Sequence, residues 1–262
     1  MIQAPLAGLG ILVTRPAHQA EHLANLIRQA GAEPILFPAL EIVDLPDLQP
    51  LQKLIERLDE YDLAIFISPN AVNKAMNLIR AKGHLPVKLR IAAIGKGSAK
   101  VLTLFGVKSV ITPQQSFDSE ALLDMPALRD VTDQRIVIFR GDGGRELLGD
   151  TLTARGAQVE YAECYRRQKP QADNGKLLYL WARNELHAIT VTSSEVLRNL
   201  YDLVGKLGQQ WLKKTPVFVP HIRIAQAAQE LGLKQVIVTE AGDENMLASI
   251  VAWRVQQQAT ER

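Results

Sequence analysis

The sequence predicts an α/β protein made of two similar parallel-sheet lobes with flavodoxin-like or Rossmann-like topology. First, its 262 residues exceed the roughly 100 to 200 residues usual for one domain. Second, short β-branched runs alternate with amphipathic stretches of helical period, which is typical of a parallel sheet built from βαβ units. Third, the chain matches itself at a nearly constant offset, which indicates an internal duplication.

The duplication is clearest around Arg15 and Arg140, which lie 125 positions apart (140 − 15). Identical residues recur at this offset: Ile11, Arg15, Glu21, Leu23, Gly31 and Ala32 recur as Ile136, Arg140, Glu146, Leu148, Gly156 and Ala157. Similar matches relate the segment from Ala64 to that from Ala188, and the segment from Ala99 to that from Ala225. Each copy is long enough for one lobe.

Within a copy, strands and helices alternate. Strands are predicted at 11–14, 64–67 and 90–94. Over 20–30, Leu23 and Ile27 share one apolar helical face, and Gly31 occupies the position of a C-terminal cap. The strands predicted at 34–43 and 159–168 are longer than the five or six residues of a typical strand. Because they occupy matching places in the two copies, we expect them to link the lobes.

Ligands of an open parallel sheet bind beyond the carboxyl ends of its strands. Several polar residues at these ends can cap helices, whose free N–H groups bind anions. The candidate substrate-binding residues are Arg15, Ser68, Asn70, Gly95, Ser98, Arg140, Gly141, Gly143, Gly144, Ser193, Ser194 and Arg223. For any single hydroxyl, helix capping without a ligand remains an open alternative.

The glycines after Arg140 invite a dinucleotide-binding interpretation, but G-x-G-x-x-G requires glycine at 146, where Glu146 stands. A backbone nest for a carboxylate and a tight turn without a ligand both remain open. The H-x-x-E-H match at 18–22 has no third metal ligand near it, and no catalytic triad is indicated. An enzyme with this sequence is therefore expected to work mainly by holding its substrate.

Composition excludes several function classes. Thirty Lys+Arg against 28 Asp+Glu give a formal charge of +2, too small for nonspecific nucleic-acid binding. The single cysteine, Cys164, excludes intramolecular disulfides, Fe–S clusters and thiolate zinc sites. Neither a signal sequence nor an apolar run of membrane-spanning length is recognised. We expect a soluble cytoplasmic protein without nucleic-acid or membrane partners.

Several motifs occur in the order seen in one enzyme family. They are GILVTRP from Gly10, FISPNAV from Phe66, IGKGSA from Ile94, RGDGGRE from Arg140 and VEYAECY from Val159. Over nearly its whole length, the chain resembles the uroporphyrinogen-III synthase family. The resemblance implies two α/β lobes joined by a two-strand ladder, with a cleft between them. Lobe 1 would comprise 1–38 and 168–262, lobe 2 would comprise 39–167, and the ladder would comprise about 34–43 and 159–168.

The resemblance also implies an activity. A family member cyclises hydroxymethylbilane, a linear tetrapyrrole polycarboxylate, to uroporphyrinogen III, with inversion of the last pyrrole ring and loss of water. No cofactor is implied. Tyr165 matches the family tyrosine proposed to assist departure of the hydroxyl group, and Ser98 stands where many members have threonine. The family's G-P-T-T-A is replaced by the segment 221–225, where Arg223 is expected to substitute for a hydroxyl contact.

The expected assembly state is a monomer, with a possible transient contact with hydroxymethylbilane synthase. The alternative function is a bilobal binding protein or sensor for a small anion. Such a protein would share the fold class and the polar strand ends.

Overall fold

The computed structural model describes residues 4–115 and 118–260. The chain divides into two compact units: unit 1 is Met1–Glu41 with Gln168–Arg262, and unit 2 is Ile42–Arg167. Unit 1 is thus built from both ends of the chain and unit 2 from its middle. In the part of the chain that the structure describes, no helix combines the length and apolar character needed to span a membrane.

Each unit contains a five-stranded sheet, which confirms the predicted α/β class. The strands are β1 (Gly10–Val13), β2 (Glu33–Leu36), β3 (Glu41–Val43), β4 (Leu63–Phe66), β5 (Arg90–Ala93), β6 (Arg135–Gly141), β7 (Gln158–Gln168), β8 (Ala188–Thr190), β9 (Val217–Val219) and β10 (Val236–Val238). The strand orders are β10-β9-β8-β1-β2 and β3-β7-β6-β4-β5. Apart from β3, neighbouring strands pair in parallel.

The helices follow the strands along the chain. They are α1 (Ala17–Gln29), α2 (Gln49–Glu56), α3 (Pro69–Lys82), α4 (Lys96–Leu104), α5 (Ser119–Leu123), α6 (Pro126–Arg129), α7 (Leu147–Ala154), α8 (Gly175–Ala182), α9 (Ser194–Leu203), α10 (Gly205–Leu212), α11 (Ile222–Glu230) and α12 (Asp243–Thr260). A short 3₁₀ helix spans Leu58–Glu60.

The first helix forms as its sequence pattern predicts. Leu23 and Ile27 are fully buried in the same apolar cluster as Ile11 of β1. The helix ends at Gln29 with Ala30 as its C-cap, and Gly31 follows with a φ of +90°. Glycine adopts this left-handed conformation without the steric cost that a side chain would bring. An amphipathic face and a glycine stop therefore determine how α1 covers its sheet.

The two long strands differ from each other. β7, which the sequence predicts as a long strand at 159–168, spans 11 residues. The single strand expected at 34–43 is wrong, because this segment forms β2 and β3 with a break between them. In the break, the N–H groups of Phe37 and Ala39 donate to the carbonyls of Val13 and Thr14. From Phe37 to Ala39 the acceptor advances by only one residue, from Val13 to Thr14, so the regular parallel register of β2 ends at Leu36.

Equivalent strands of the two sequence copies pair in the same register. Gly10 of β1 lies opposite Glu33 of β2, and Arg135 of β6 lies opposite Gln158 of β7. Both members of the second pair are 125 residues further along the chain (135 − 10 and 158 − 33). However, β1 and β2 share a sheet with β8 and β9, whereas β6 and β7 share one with β4 and β5. The first part of each sequence copy therefore shares a sheet with the second part of the other copy, and neither unit is one continuous copy.

Candidate functional site

In unit 2, a serine and a tyrosine meet at the carboxyl end of the sheet. Ser68 follows β4 and is the N-cap of α3, where its Oγ accepts a hydrogen bond from the Ala71 N–H (3.1 Å). The same Oγ lies 3.0 Å from Oη of Tyr165 in β7. Tyr165 is only 6% exposed. The hydroxyl of the helix-capping Ser68 thus lies within hydrogen-bond distance of the hydroxyl of Tyr165, the tyrosine predicted to be catalytic.

A local irregularity in β7 positions this tyrosine. Arg140 pairs with Glu163, but the next residue, Gly141, pairs with Tyr165, so β7 contains one extra residue at this point. A Cβ on Gly141 would lie 2.6 Å from the Tyr165 ring, closer than such atoms approach one another. Gly141 is needed here because the ring packs directly against its backbone.

The Arg140 side chain folds back on the glycine loop. Its Nε donates hydrogen bonds to the carbonyls of Gly141 (3.3 Å) and Gly143 (3.1 Å), and its guanidinium lies 4.6 Å from the centroid of the Tyr161 ring. Gly143 and Gly144 both have positive φ. Arg140 is only 5% exposed. These contacts give it a definite structural role, and its predicted contact with substrate stays a prediction.

A cavity of about 230 Å³ opens beside this loop and is lined by both Tyr161 and Tyr165. Two further arginines line it. Arg145 forms an ion pair with Glu120 (2.6 Å), and the Arg167 guanidinium donates to the Asp142 carbonyl (3.2 Å). Burial raises the pKa of Tyr161, against the opposing charge of Arg140. The cavity combines cations with two tyrosine hydroxyls, and the Tyr161 phenol stays protonated at neutral pH, so the lining is suited to a carboxylate.

The neighbouring strand end in unit 2 carries three more predicted residues. Gly95 is the N-cap of α4 and has extended backbone. Ser98 lies in the first turn of that helix and is buried, whereas Asn70, in the first turn of α3, is half-buried. Because β4 and β5 are adjacent and parallel, the starts of α3 and α4 lie at the same edge of the sheet.

Unit 1 carries the remaining predicted residues. Ser193 caps α9 and accepts a hydrogen bond from the Val196 N–H (3.1 Å), and Ser194 is the first residue of that helix. Arg15 forms an ion pair with Asp243 (2.6 Å). Its Nε is buried and has no hydrogen-bond partner among the described residues. The guanidinium therefore has donor capacity beyond its one carboxylate.

The segment that departs from the family pattern forms an ordinary helix start. His221 is the N-cap of α11, and its Nδ1 accepts a hydrogen bond from the Arg223 N–H (3.0 Å). The Arg223 side chain is exposed in the first turn. The imidazole thus performs the capping role that a serine or threonine hydroxyl commonly performs. The substitution of Arg223 for a hydroxyl contact stays a prediction.

Sequence reasoning missed two residues of these edges. Asp243 follows β10 and begins α12, so the rule that selects residues after strands would have found it. Tyr161 lies four residues before Tyr165 on the same strand, but the extra residue between them interrupts the alternation of faces along β7, so no sequence pattern indicated that both rings line one cavity. Cys164, by contrast, is buried, and burial raises the pKa of its thiol to about 12. A thiol that remains protonated at neutral pH is a poor nucleophile.

Comparison with known proteins identifies the family. A family model described as uroporphyrinogen-III synthase HemD matches residues 21–248. The chain belongs to the uroporphyrinogen-III synthase family. The uroporphyrinogen-III synthase of Salmonella typhimurium is 35% identical over 91% of this chain and 98% of its own. That of Escherichia coli is 34% identical over the same shares.

Solved structures of uroporphyrinogen-III synthases share the fold. A mutant enzyme from Thermus thermophilus aligns with a TM-score of 0.65 at 19% identity, covering 95% of this chain and 99% of the other. The enzyme from Helicobacter pylori aligns with a TM-score of 0.57 at 14% identity, covering 94% and 99%. The resemblance and the fold class predicted from the sequence are confirmed. The predicted function, that of a uroporphyrinogen-III synthase, which is a hydro-lyase, is also confirmed.

Proposed function

We propose that this chain cyclises hydroxymethylbilane to uroporphyrinogen III, inverting the last pyrrole ring and releasing water. The observation that carries the proposal is the match of the uroporphyrinogen-III synthase model to residues 21–248. Polar strand ends in both units support it, because a linear tetrapyrrole with many carboxylates needs many separate anion contacts.

The chemistry makes positioning the main task of the enzyme. Loss of the bilane hydroxyl gives an electrophilic azafulvene, which closes without a catalyst to the isomer that lacks the inversion. The enzyme must instead bring the substituted carbon of the last ring to the azafulvene methylene, giving a spiro intermediate. This is a problem of proximity and orientation. Holding the reacting groups in the correct geometry can lower the activation barrier by several kcal/mol without any strong acid or base.

Tyr165 is the proposed hydrogen-bond donor to the departing hydroxyl. The Ser68 Oγ accepts from the Ala71 N–H, so its own proton can be donated to the Tyr165 Oη 3.0 Å away. The phenol proton is then available for the substrate. A phenol can donate such a hydrogen bond without full proton transfer.

The remaining candidates are proposed to bind the carboxylates. Within the described part of the chain, the buried Arg15 Nε has no hydrogen-bond partner, which favours an additional anion contact. In unit 2, the cavity of about 230 Å³ beside Arg145 and Arg167 suits one carboxylate-bearing side chain of a larger ligand. Members of the set in unit 2 are Ser68, Asn70, Gly95, Ser98, Arg140, Gly141, Gly143 and Gly144, and members in unit 1 are Arg15, Ser193, Ser194 and Arg223.

We also propose that the two units are the lobes predicted from the sequence and that the protein works as a cytoplasmic monomer. Because hydroxymethylbilane closes spontaneously, rapid transfer from hydroxymethylbilane synthase would be advantageous. A transient contact between the two enzymes is therefore part of the proposal. Chemical cross-linking of the two proteins during turnover tests that contact.

The decisive experiment is incubation with freshly made hydroxymethylbilane, followed by oxidation and separation of the porphyrin isomers. Type III porphyrin is expected, whereas type I alone would overturn the proposal and favour a binding protein. Tyr165→Phe is expected to lower kcat by ~10 to 100-fold, about 1.4 to 2.7 kcal/mol. Isomer purity should fall less, because many contacts share the steering.

Tyr179→Phe is the matched control, because Tyr179 is an exposed tyrosine of unit 1 away from the strand ends. Wild-type kcat in Tyr165→Phe would remove Tyr165 from the mechanism. If the melting temperature of Tyr165→Phe falls enough to account for the lost activity, the Tyr165 hydroxyl contributes to the stability of the fold and not to the mechanism.

A further inference from the structure

A second cavity lies in unit 1, at the edge of its sheet opposite to the predicted substrate contacts. Leu9, His187 and Pro216 immediately precede β1, β8 and β9, and they line a cavity of about 340 Å³. These three strands are parallel. Their amino ends therefore share one edge, whereas Arg15 and Ser193 follow the carboxyl ends at the other edge. The cavity is separate from the residues assigned to the reaction.

Tryptophan rings form much of its wall. The chain contains three tryptophans, and Trp181, Trp211 and Trp253 all line this cavity. The rings of Trp181 and Trp211 stack with centroids 6.1 Å apart and planes inclined by 21°. The Trp181 Nε1 donates to the Thr215 Oγ1 (3.0 Å), which holds its ring in place. The Trp253 Nε1 is buried and has no hydrogen-bond partner among the described residues.

The charged part of the wall is cationic. Lys214 and Arg254 line the cavity, and none of the residues described along its wall is acidic. The Arg254 Nε is buried and, within the described residues, has no acceptor. Buried N–H groups without acceptors are costly, so this wall favours a ligand that brings acceptor oxygens.

His187 adds a neutral donor. Its Nδ1 accepts a hydrogen bond from the Gly10 N–H (3.0 Å), so in the neutral ring the proton lies on Nε2. Burial, and then the charge of Arg254, lower the pKa of His187. The imidazole is therefore neutral at pH 7, and Arg254 and Lys214 supply the positive charge of the wall.

We propose that this cavity binds a planar aromatic carboxylate, with its ring against the tryptophan faces and its carboxylate held by Arg254 and Lys214. Aromatic rings stack favourably on indole, and guanidinium groups form strong charge-assisted hydrogen bonds with carboxylates. A phosphate ion would leave the tryptophan faces unused, and a neutral aromatic would leave the cations unpaired. A volume of about 340 Å³ is at the small end of ligand cavities, which suits a ligand of one or two rings.

Benzoate is a suitable probe, and tryptophan fluorescence is a specific readout because every tryptophan of the chain lines the cavity. Benzoate is expected to change the fluorescence saturably with a Kd of about 1 mM or tighter. Benzamide has the same shape without the charge and should bind at least ~10-fold more weakly. Absence of any change at about 10 mM benzoate, or equal binding of benzamide, would overturn the proposal.

Arg254→Gln is expected to weaken benzoate binding by at least ~10-fold, and Lys214→Gln by about 3-fold. Lys214 is exposed, so its replacement keeps the test valid if Arg254→Gln fails to fold. Arg183→Gln is the matched control, because Arg183 pairs with Glu185 (2.6 Å) on the same unit and is not among the residues lining the cavity. Unchanged affinity in Lys214→Gln and in a folded Arg254→Gln, or an equal loss in Arg183→Gln, would contradict the assignment.

Discussion

The same backbone device appears in both units with different side chains around it. Ser68 in unit 2 and Ser193 in unit 1 lie 125 positions apart (193 − 68) and are the N-caps of α3 and α9. In each cap, the serine Oγ lies 3.1 Å from the backbone N of the residue three positions later. Ser68 also contacts Tyr165, whereas the position 125 residues before Tyr165 holds Leu40, a buried apolar residue. Duplication therefore preserved the helix caps, while the chemistry beside them diverged.

A second equivalent pair shows conservation of role with a change of residue type. The N–H of Arg135, at the start of β6, donates to the Asp62 Oδ2 (2.8 Å). The N–H of Gly10, at the start of β1, donates to the His187 Nδ1 (3.0 Å). Both acceptors satisfy the first backbone donor of a central strand. The fold requires an acceptor there, and either a carboxylate or an imidazole provides it.

The largest expected difference is between the equivalent arginines, Arg15 and Arg140, whose replacement should affect kinetics and stability, respectively. Replacement of Arg15 by alanine is expected to lower kcat/KM by ~10 to 100-fold, or about 1.4 to 2.7 kcal/mol, because its guanidinium has spare donor capacity for a substrate carboxylate. Arg140→Ala is expected to lower stability by about 2 kcal/mol, because the buried Nε bonds to Gly141 and Gly143 are lost. Steady-state kinetics and thermal melting measure the two effects.

Arg28→Ala is the control for removal of an exposed arginine, because the Arg28 side chain donates a hydrogen bond to Asn25 on its own helix and is not among the predicted site residues. Unchanged kinetics in both Arg15→Ala and Arg140→Ala, with the fold intact, would mean that neither side chain touches the substrate.

The two capping serines should give a smaller difference. Ser68→Ala and Ser193→Ala are each expected to cost about 1 kcal/mol of stability, because each removes one helix cap. Ser68→Ala should also lower kcat by about 3 to 10-fold, since Tyr165 loses its hydroxyl partner. Ser193→Ala should leave kcat within about 2-fold and affect mainly KM. Equal falls in kcat for the two variants would contradict the proposed role of the Ser68–Tyr165 pair.

The smallest expected effect is a pH dependence of stability caused by His187, which accepts the hydrogen bond at the start of β1 as Asp62 does at the start of β6. Burial and Arg254 lower the pKa of His187 in the folded protein, while Glu185 acts in the opposite direction. The unfolded chain, with a histidine pKa near 6.5, therefore takes up a proton first as the pH falls. The contribution of His187 to stability is present above about pH 6.5 and decreases below it.

Melting temperatures between about pH 7 and pH 5 measure this effect. His187→Asn keeps an acceptor for the Gly10 N–H but cannot be protonated, so it should melt with a weaker dependence on pH than the wild type. An identical dependence in both proteins would show that His187 does not contribute.

Much of the local structure follows from sequence alone. Strand positions, the apolar face of α1 and its stop at Gly31 depend on periodicity and on backbone conformation, which act within a few residues. The capping roles of Ser68 and Ser193 are local for the same reason. The duplication and the ordered motifs also determined the family, since they are properties of the chain and do not depend on how it folds.

Only the tertiary structure decided which halves of the copies share a sheet and what each polar side chain contacts. The break at Pro38 depends on the carbonyls that β1 offers to its neighbours, and the extra residue in β7 turns Tyr165 onto Gly141. Arg140 and Arg15 have equivalent positions in the sequence, yet one bonds to its own loop and the other to Asp243. Asp243 comes from a distant part of the chain, and the bonds of Arg140 depend on the positive φ of Gly143 and Gly144, so periodicity and spacing carry no information about either set of partners.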